Sequence, residues 1–346
     1  MKNVDYIIVG CGLAGIHFSE QLLANNKTFV VLDNKSQHSS VVAGGLYNPV
    51  VLKRFTSVWK SQEQLELALP IYKKLEKDLK VTLDYSTPVY RRFTSVQEQN
   101  EWFTASDKPE LAAYLYTEII KNENVAIDAA FGFGKVLGTG RIDTKLLIES
   151  YKKQLLERNQ LLEDTFNYDA LITEGTMQYK DITAKHIIFA EGFGVKKNPF
   201  FKELPLKEVK GELVTIHAPD LKIDFVLKSS VFLIPVGNDL YTVGATYDWK
   251  DKTNNITAEA KEALLKKLKT VLKCDFEVVN QVAGIRPTVT DRRPLVGQHE
   301  IHENMYVLNG LGTRGVMIAP YVAKQLFNRI ENNIALENEI DIARFK

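Results

Sequence analysis

Cysteine is almost missing from this 346-residue chain, which holds only Cys11 and Cys274. Two thiols build no disulfide framework, and neither sits in a Cys-x-x-Cys or Cys/His group with metal-ligand spacing, so a reducing cytoplasm is expected and a metal centre is not. Charge of one sign is missing as well: 44 Lys+Arg against 43 Asp+Glu leave a formal charge of +1. That balance removes the usual electrostatic reason to expect a dedicated nucleic-acid or membrane-surface protein. An apolar run of membrane length is also absent. The one apolar stretch near the N-terminus, residues 6–19, lies between Asp5 and Glu20 and is broken by Gly10, Gly12 and Gly15. It falls short of the roughly 20 residues of a membrane span, so neither an anchor nor a signal peptide is expected. Internal repeats and low-complexity linkers do not occur either.

What is there is the composition of a folded, water-soluble protein, with 45% hydrophobic and 25% charged residues. At this length a single core stops growing efficiently, and two lobes interleaved along the chain are expected. Val4-Asp5-Tyr6-Ile7-Ile8-Val9 reads as a central parallel strand buried on both faces. Leu13, Ile16, Phe18, Leu22 and Leu23 give the helix that follows, and Thr28 to Leu32 a second buried strand ending at Asp33. Amphipathic helices are predicted over 59–80 and 145–159, with strands over 170–173 and 186–190 returning the chain to the first sheet. From about Val209 short strands alternate with turn signals such as Gly237-Asn238-Asp239, which predicts an antiparallel sheet. A Lys-rich helix over 258–273, a strand over 305–308 and a last helix toward Ile330 complete the pattern.

Gly10-Cys11-Gly12-Leu13-Ala14-Gly15 is a G-x-G-x-x-G pattern placed where its mechanism needs it, after a strand and opening a helix, with an acid at the end of the next strand. Its glycines permit a tight turn and close approach to a pyrophosphate. The helix N-terminus supplies free N–H groups, and Asp33 can accept hydrogen bonds from a ribose. Gly132-Phe133-Gly134 and Gly192-Phe193-Gly194 lack the full context, so one dinucleotide is expected. FAD and NAD share the ADP half, and these residues alone leave both open.

The rest of the chain resembles the FAD-dependent D-amino-acid oxidase superfamily, which includes glycine and sarcosine oxidases. The likeness rests on the N-terminal glycines with Asp33, Ala43-Gly44-Gly45-Leu46, Ile187 to Gly192, Lys210-Gly211-Glu212, Val243 to Thr246, Gly284-Ile285-Arg286-Pro287 with Asp291 and Pro294, and Gly310 to Pro320. Within that superfamily the sequence is similar to the oxidase module of the bifunctional tRNA 5-methylaminomethyl-uridine biosynthesis enzymes. Ala43 to Pro49 resembles their Ala-Gly-Leu-Phe-His-Pro type segment, and Gly312-Thr313-Arg314-Gly315 places Arg directly before Gly as they do. Glycine-type oxidases usually carry Arg-Asn-Gly there. A fused methyltransferase is not expected, and only Lys53-Arg54, Arg91-Arg92 and Arg292-Arg293 offer paired basic sites for tRNA.

The resemblance implies an α/β fold with α+β elements: a Rossmann-like FAD-binding domain (1–80, 140–205 and 284–346) interleaved with an antiparallel-sheet substrate domain (81–139 and 206–283). It implies oxidation of a primary or secondary amine bearing a carboxylate, by hydride transfer from the α-carbon to flavin N5. Arg286 would grip the carboxylate with its planar fork, unless it forms a structural ion pair with Asp291 or a buried Glu. Phe232, Tyr241 and Tyr247 would roof the substrate site. Asn34 and Lys35 beside Asp33, with Ala190, Glu191 and Gly192, would join the ADP site. Gly310, Gly312, Thr313, Arg314, Gly315 and Val316 would lie against the flavin ring, and Ala43, Gly44, Gly45 and Leu46 on another side of it. The cysteine that carries covalent flavin in monomeric sarcosine oxidases has no counterpart after Cys274, so FAD is expected to be non-covalent. Expected partners are a small amine and, as an alternative, the carboxymethylaminomethyl-uridine of tRNA. An NAD-linked dehydrogenase and a flavin-binding protein without turnover are the readings from other classes.

Overall fold

The computed structural model describes residues 2–345. Its first strand, β1 (Lys2–Val9), is central because both its faces are apolar: Tyr6, Ile7 and Ile8 are wholly buried. The chain continues through α1 (Leu13–Ala24), β2 (Phe29–Leu32), α2 (Ser61–Leu79), β3 (Val89–Arg92), β4 (Phe133–Val136), α3 (Thr144–Glu157) and β5 (Ile182–Phe189). Then come β6 (Leu206–His217), β7 (Val226–Lys228), β8 (Phe232–Gly237), β9 (Leu240–Gly244), α4 (Ala258–Leu268), β10 (Glu277–Val289), β11 (Leu295–Gln298), β12 (Met305–Asn309) and α5 (Gly315–Glu331).

Among the described residues two large sheets dominate. In the first, β1 lies between β2 and β5 and is parallel to both, with Ile8 opposite Val31 and Ile188. The far side of β5 is shared: its N-terminal half pairs antiparallel with Met177–Tyr179, and its C-terminal half pairs parallel with β12. The helices α1, α2, α3 and α5 cover one face, and their apolar stripes join Ile8, Val31 and Ile188 in one core. The second sheet runs β10-β6-β9-β8-β7-β3-β4, antiparallel except where β7 meets β3. It is assembled from segments interleaved with the first sheet, as the alternation of strand patterns along the sequence requires.

Two predicted elements differ. The helix expected over 258–273 ends at Leu268, because backbone bonds Asp128 N to Val271 O and Lys273 N to Ala126 O capture the next residues into an extended pairing. The strand expected over 170–173 is only the edge pair Leu171–Ile172. Among the described residues no helix is long and apolar enough to cross a membrane.

Candidate active site

A cleft of about 620 Å³ runs between the two sheets, from Asp33 and Lys197 at one end to Arg286 and Tyr247 at the other. Its first end is made mostly of backbone. Gly10 has φ +105°, and a Cβ there would stand 2.4 Å from Ala190 O; a Cβ on Gly15 would stand 2.0 Å from Gly10 O. Only glycine lets α1 start this close to β1 and β5. The N-cap residue Gly12 has no side chain to cap α1 and no acid lies in its first turn; Ser40 Oγ takes up only Leu13 N (3.4 Å), so the helix dipole faces the cleft. Asp33 is oriented by Cys11 N (2.8 Å), Lys35 N (2.9 Å) and Lys152 Nζ (2.6 Å), which leaves acceptor capacity for ribose hydroxyls. Asn34 lines this end. The Lys35 side chain turns away to pair with Glu163.

Ala190, Glu191 and Gly192 form the opposing wall. Burial pushes the Glu191 carboxyl up, and it accepts hydrogen bonds from Tyr168 Oη and Asn198 Nδ2. Asn309 stitches two turns together, donating to Gly192 O (2.8 Å) and accepting from Gly310 N (2.8 Å).

Midway, Ala43, Gly44, Gly45 and Leu46 line the cleft. A Cβ on Gly45, which has φ +68°, would fall 1.9 Å from Ile142 O. Across from them, Gly312, Thr313, Gly315 and Val316 line the cleft where α5 begins, again with neither a side-chain cap nor an acid in the first turn. Gly310, like Gly15, serves packing instead: its Cβ would meet Val289 Cγ2 at 2.8 Å.

At the far end Arg286 is half-buried, and desolvation lowers its pKa. Its guanidinium lies across Gly211, where a Cβ would be 2.1 Å from Nη2. It donates weakly to Thr246 O (3.3 Å) and stacks 4.8 Å from the centre of the Tyr247 ring. Among the described residues it has no carboxylate partner. Asp291, the suspected one, instead accepts from Arg344 Nε (2.9 Å). Arg314, at the head of α5, is half-buried, has no acidic partner among the described residues and lies near Tyr247 and Arg292. Two half-buried guanidinium groups without carboxylate partners give this end a positive character.

Phe232 faces the cleft beside Gly44. Tyr241 does not, which corrects the sequence expectation. Alternate residues of β9 face opposite ways, so Tyr241 and Val243 pack under α4 with Val214 and Leu233, while Gly244 faces Phe232. Lys152, Ser40, Asn309 and Leu213 were missed by sequence reasoning. Asn309 adjoins the recognised Gly310 segment and was within reach; the others lie on elements whose pattern speaks only of packing.

A family model described as DAO, FAD dependent oxidoreductase, matches residues 5–329. The chain belongs to this family. Among curated proteins this oxidoreductase is 24% identical over 240 residues to glycine oxidase of Bacillus subtilis (strain 168), covering 65% of this chain and 64% of that one. It is 25% identical over 376 aligned residues to the tRNA 5-methylaminomethyl-2-thiouridine biosynthesis bifunctional protein MnmC of Legionella pneumophila (strain Lens), covering 95% of this chain and 54% of that one. The chain thus spans between about half and two thirds of these relatives' length. Among solved structures it is similar to glycine oxidase from Geobacillus kaustophilus (TM-score 0.81, 17% identity, 100% and 98% of the two chains). It is also similar to iminodiacetate oxidase from Chelativorans sp. BNC1 (TM-score 0.79, 16% identity, 97% and 98%). The mixed α/β fold is that of these oxidases. The cleft fits FAD: glycine backbone and an uncapped helix at the diphosphate end, an acid for ribose, and a second uncapped helix along the middle.

Proposed function

We propose that this oxidoreductase oxidises the C–N bond of a primary or secondary amine that carries a carboxylate. Bound FAD supplies the two-electron acceptor for such chemistry. In this reading the chain's own part is to bind and orient. Arg286 grips the carboxylate with two parallel N–H bonds, and Arg314 adds positive charge to the same end. Tyr247 and Phe232 form apolar walls that aim the α-carbon along the cleft. The free N–H groups at the start of α5 stabilise negative charge that develops beside them. The substrate loses a hydride and a proton, and the resulting imine takes up water to release amine and carbonyl products. Oxygen or another acceptor restores the oxidised state. The observation that carries this reading is the half-buried Arg286 fork, free of any acid among the described residues, lying across Gly211.

FAD is held non-covalently in this proposal. Cys11 sits at the diphosphate end, where burial pushes its thiol up to about 12, and Cys274 packs in the core under α4.

A second reading places the amine on a tRNA uridine. It is supported by Tyr247 at the cleft and Trp249 two residues further along the same segment, which are 63% and 58% exposed and available for base stacking. Arg292, without an acidic partner among the described residues, lies near Arg314. Three of the other basic residues expected for tRNA favour it less, since Arg91, Arg92 and Arg293 are taken up by Glu98, Asp128 and Glu339. Absorbance spectra under anaerobic conditions test both. Bleaching of a yellow protein by glycine, sarcosine or iminodiacetate supports the small-amine reading, and bleaching by undermodified tRNA alone supports the second. A protein that stays oxidised with all of them sinks both.

A further inference from the structure

The segment 245–257, between β9 and α4, walls the substrate end of the cleft through Ala245, Tyr247, Lys252 and Asn254. It has no regular secondary structure apart from the single bridge of Asp248 to Lys210, yet it carries the ring that stacks on Arg286 and the carbonyl of Thr246 that Arg286 touches. A loop that sets the direction of a guanidinium must itself be fixed.

The fixing groups lie on β6, on either side of the glycine that Arg286 covers. Lys210 and Glu212 point to the face opposite Gly211 and Leu213. The Lys210 side chain is 1% exposed, a costly place for an ammonium unless it is paired. Its Nζ meets Asp251 of the segment and stands 3.4 Å from Glu212 Oε1. The Lys210 backbone exchanges both hydrogen bonds with Asp248, at 2.8 and 2.9 Å. Glu212 grips the two ends of the same segment. Its N–H donates to Thr246 Oγ1 (2.8 Å), and its carboxylate accepts from Thr257 N (3.0 Å) and Thr257 Oγ1 (2.9 Å). Gln281 of β10 donates to that carboxylate as well (2.7 Å). The segment therefore crosses β6 with Tyr247 on Arg286 and Asp251 on Lys210.

We propose that Lys210 is a latch, a positioning residue that holds the 245–257 segment against β6 so that Tyr247 and Arg286 keep one orientation toward the substrate carboxylate. The inference rests on the carboxylated-amine reading for its kinetic consequence, and on the geometry of the segment alone for its structural one. Lys210 touches no substrate. It acts through Asp251 and Tyr247 on Arg286, so its loss removes binding that is common to ground and transition states, which raises KM and leaves kcat.

The test uses the FAD-loaded protein and two variants. Lys210→Met removes the buried ammonium. Asp251→Asn is the milder change, because Asp251 is 27% exposed and water can replace its partner. Hydrogen exchange of the Thr246, Asp248 and Thr257 amides is compared with wild type, and KM and kcat are measured with whichever carboxylated amine bleaches the wild-type protein. The latch predicts exchange in 245–257 faster by about tenfold or more, KM raised about tenfold, kcat within about twofold and FAD affinity unchanged. Lys210→Arg, which keeps a charged donor, recovers part of the KM loss. Unchanged exchange in Asp251→Asn overturns the latch, as does faster exchange with an unchanged KM. Should Lys210→Met fail to fold, Asp251→Asn decides. Should no carboxylated amine bleach the wild type, the functional reading fails by itself, and the exchange data still decide whether the latch exists.

Discussion

The diphosphate end of the cleft is made of one short stretch of backbone, residues 10–15, closed by Asp33 at the next strand end. The substrate end is made of the side chains of Phe232, Tyr247 and Arg286 over the bare backbone of Gly211, which lie on different strands and a loop. The first end depends on a left-handed turn at Gly10 and a close approach at Gly15 that only glycine allows, so those two positions tolerate almost no change of residue. The second depends on the direction in which each side chain leaves its strand, so a change of one position in parity moves a residue from the cleft to the core. Tyr241 and Gly244 show this on a single strand.

The largest effect is expected at the backbone end. Gly10→Ala puts a Cβ 2.4 Å from Ala190 O at φ +105°, and neither the carbonyl of β5 nor the strand before it can yield without opening the sheet. The variant should purify colourless, with flavin absorbance below about a tenth of wild type, because backbone approach to the diphosphate is lost with the turn. Gly175→Ala is the control: its φ is +75°, but nothing lies within 4 Å of the added Cβ, so flavin content should hold. Equal loss in both variants would mean that strain, and not close approach, sets the cofactor end.

That contrast explains how much could be read in advance. The fingerprint, the βαβ start and the antiparallel sheet were legible because each is local: a run of apolar residues, a glycine, an acid at a fixed offset. Lys152 was not, since nothing on an amphipathic helix says that one of its lysines will reach the strand end at Asp33. The suspected Arg286 to Asp291 pair failed for a related reason. Five residues apart in sequence, they are separated by the end of β10, and the turn directs Asp291 to Arg344 from the C-terminal segment. Residue identity gave the chemistry of the substrate end, while its assembly belongs to strand register and parity.

At the substrate end the next largest effect falls on Arg286. Lys can supply charge but not the planar fork, and the guanidinium here is also stacked on Tyr247. Arg286→Lys should raise KM for a carboxylated amine about a hundredfold, at a cost of about 2.7 kcal/mol of binding, with the flavin spectrum intact. Tyr241→Phe, on β9 with β6 between it and Arg286, and facing the core, should leave KM within about twofold. A large KM change in Tyr241→Phe would place that ring in substrate recognition after all and erase the parity argument.

The smallest effect lies where the two dinucleotide-facing helices are tied together. Tyr72 Oη donates to Val316 O (2.8 Å) on α5, and therefore accepts from His17 Nε2 (3.1 Å) on α1. That assigns the proton of the neutral ring to Nε2 and leaves the buried Nδ1 with no partner. A second proton would have to sit on Nδ1 out of reach of any acceptor, and burial accordingly depresses His17 to about 3 from an ordinary 6.5. The sign follows from which state binds protons first. As pH falls below 6.5 the unfolded chain takes up a proton that the folded chain refuses, so stability is lost between pH 6.5 and about 3 and is unaffected above that window. At pH 5.5 the loss from this one group is about 1.4 kcal/mol. His17→Leu removes the titration and keeps the Tyr72 to Val316 bond, so its Tm should fall less steeply than that of wild type between pH 7 and 5. Parallel Tm curves for the two proteins would show that His17 takes its proton inside the fold, and that the contact between α1 and α5 is looser than the Tyr72 bridge implies.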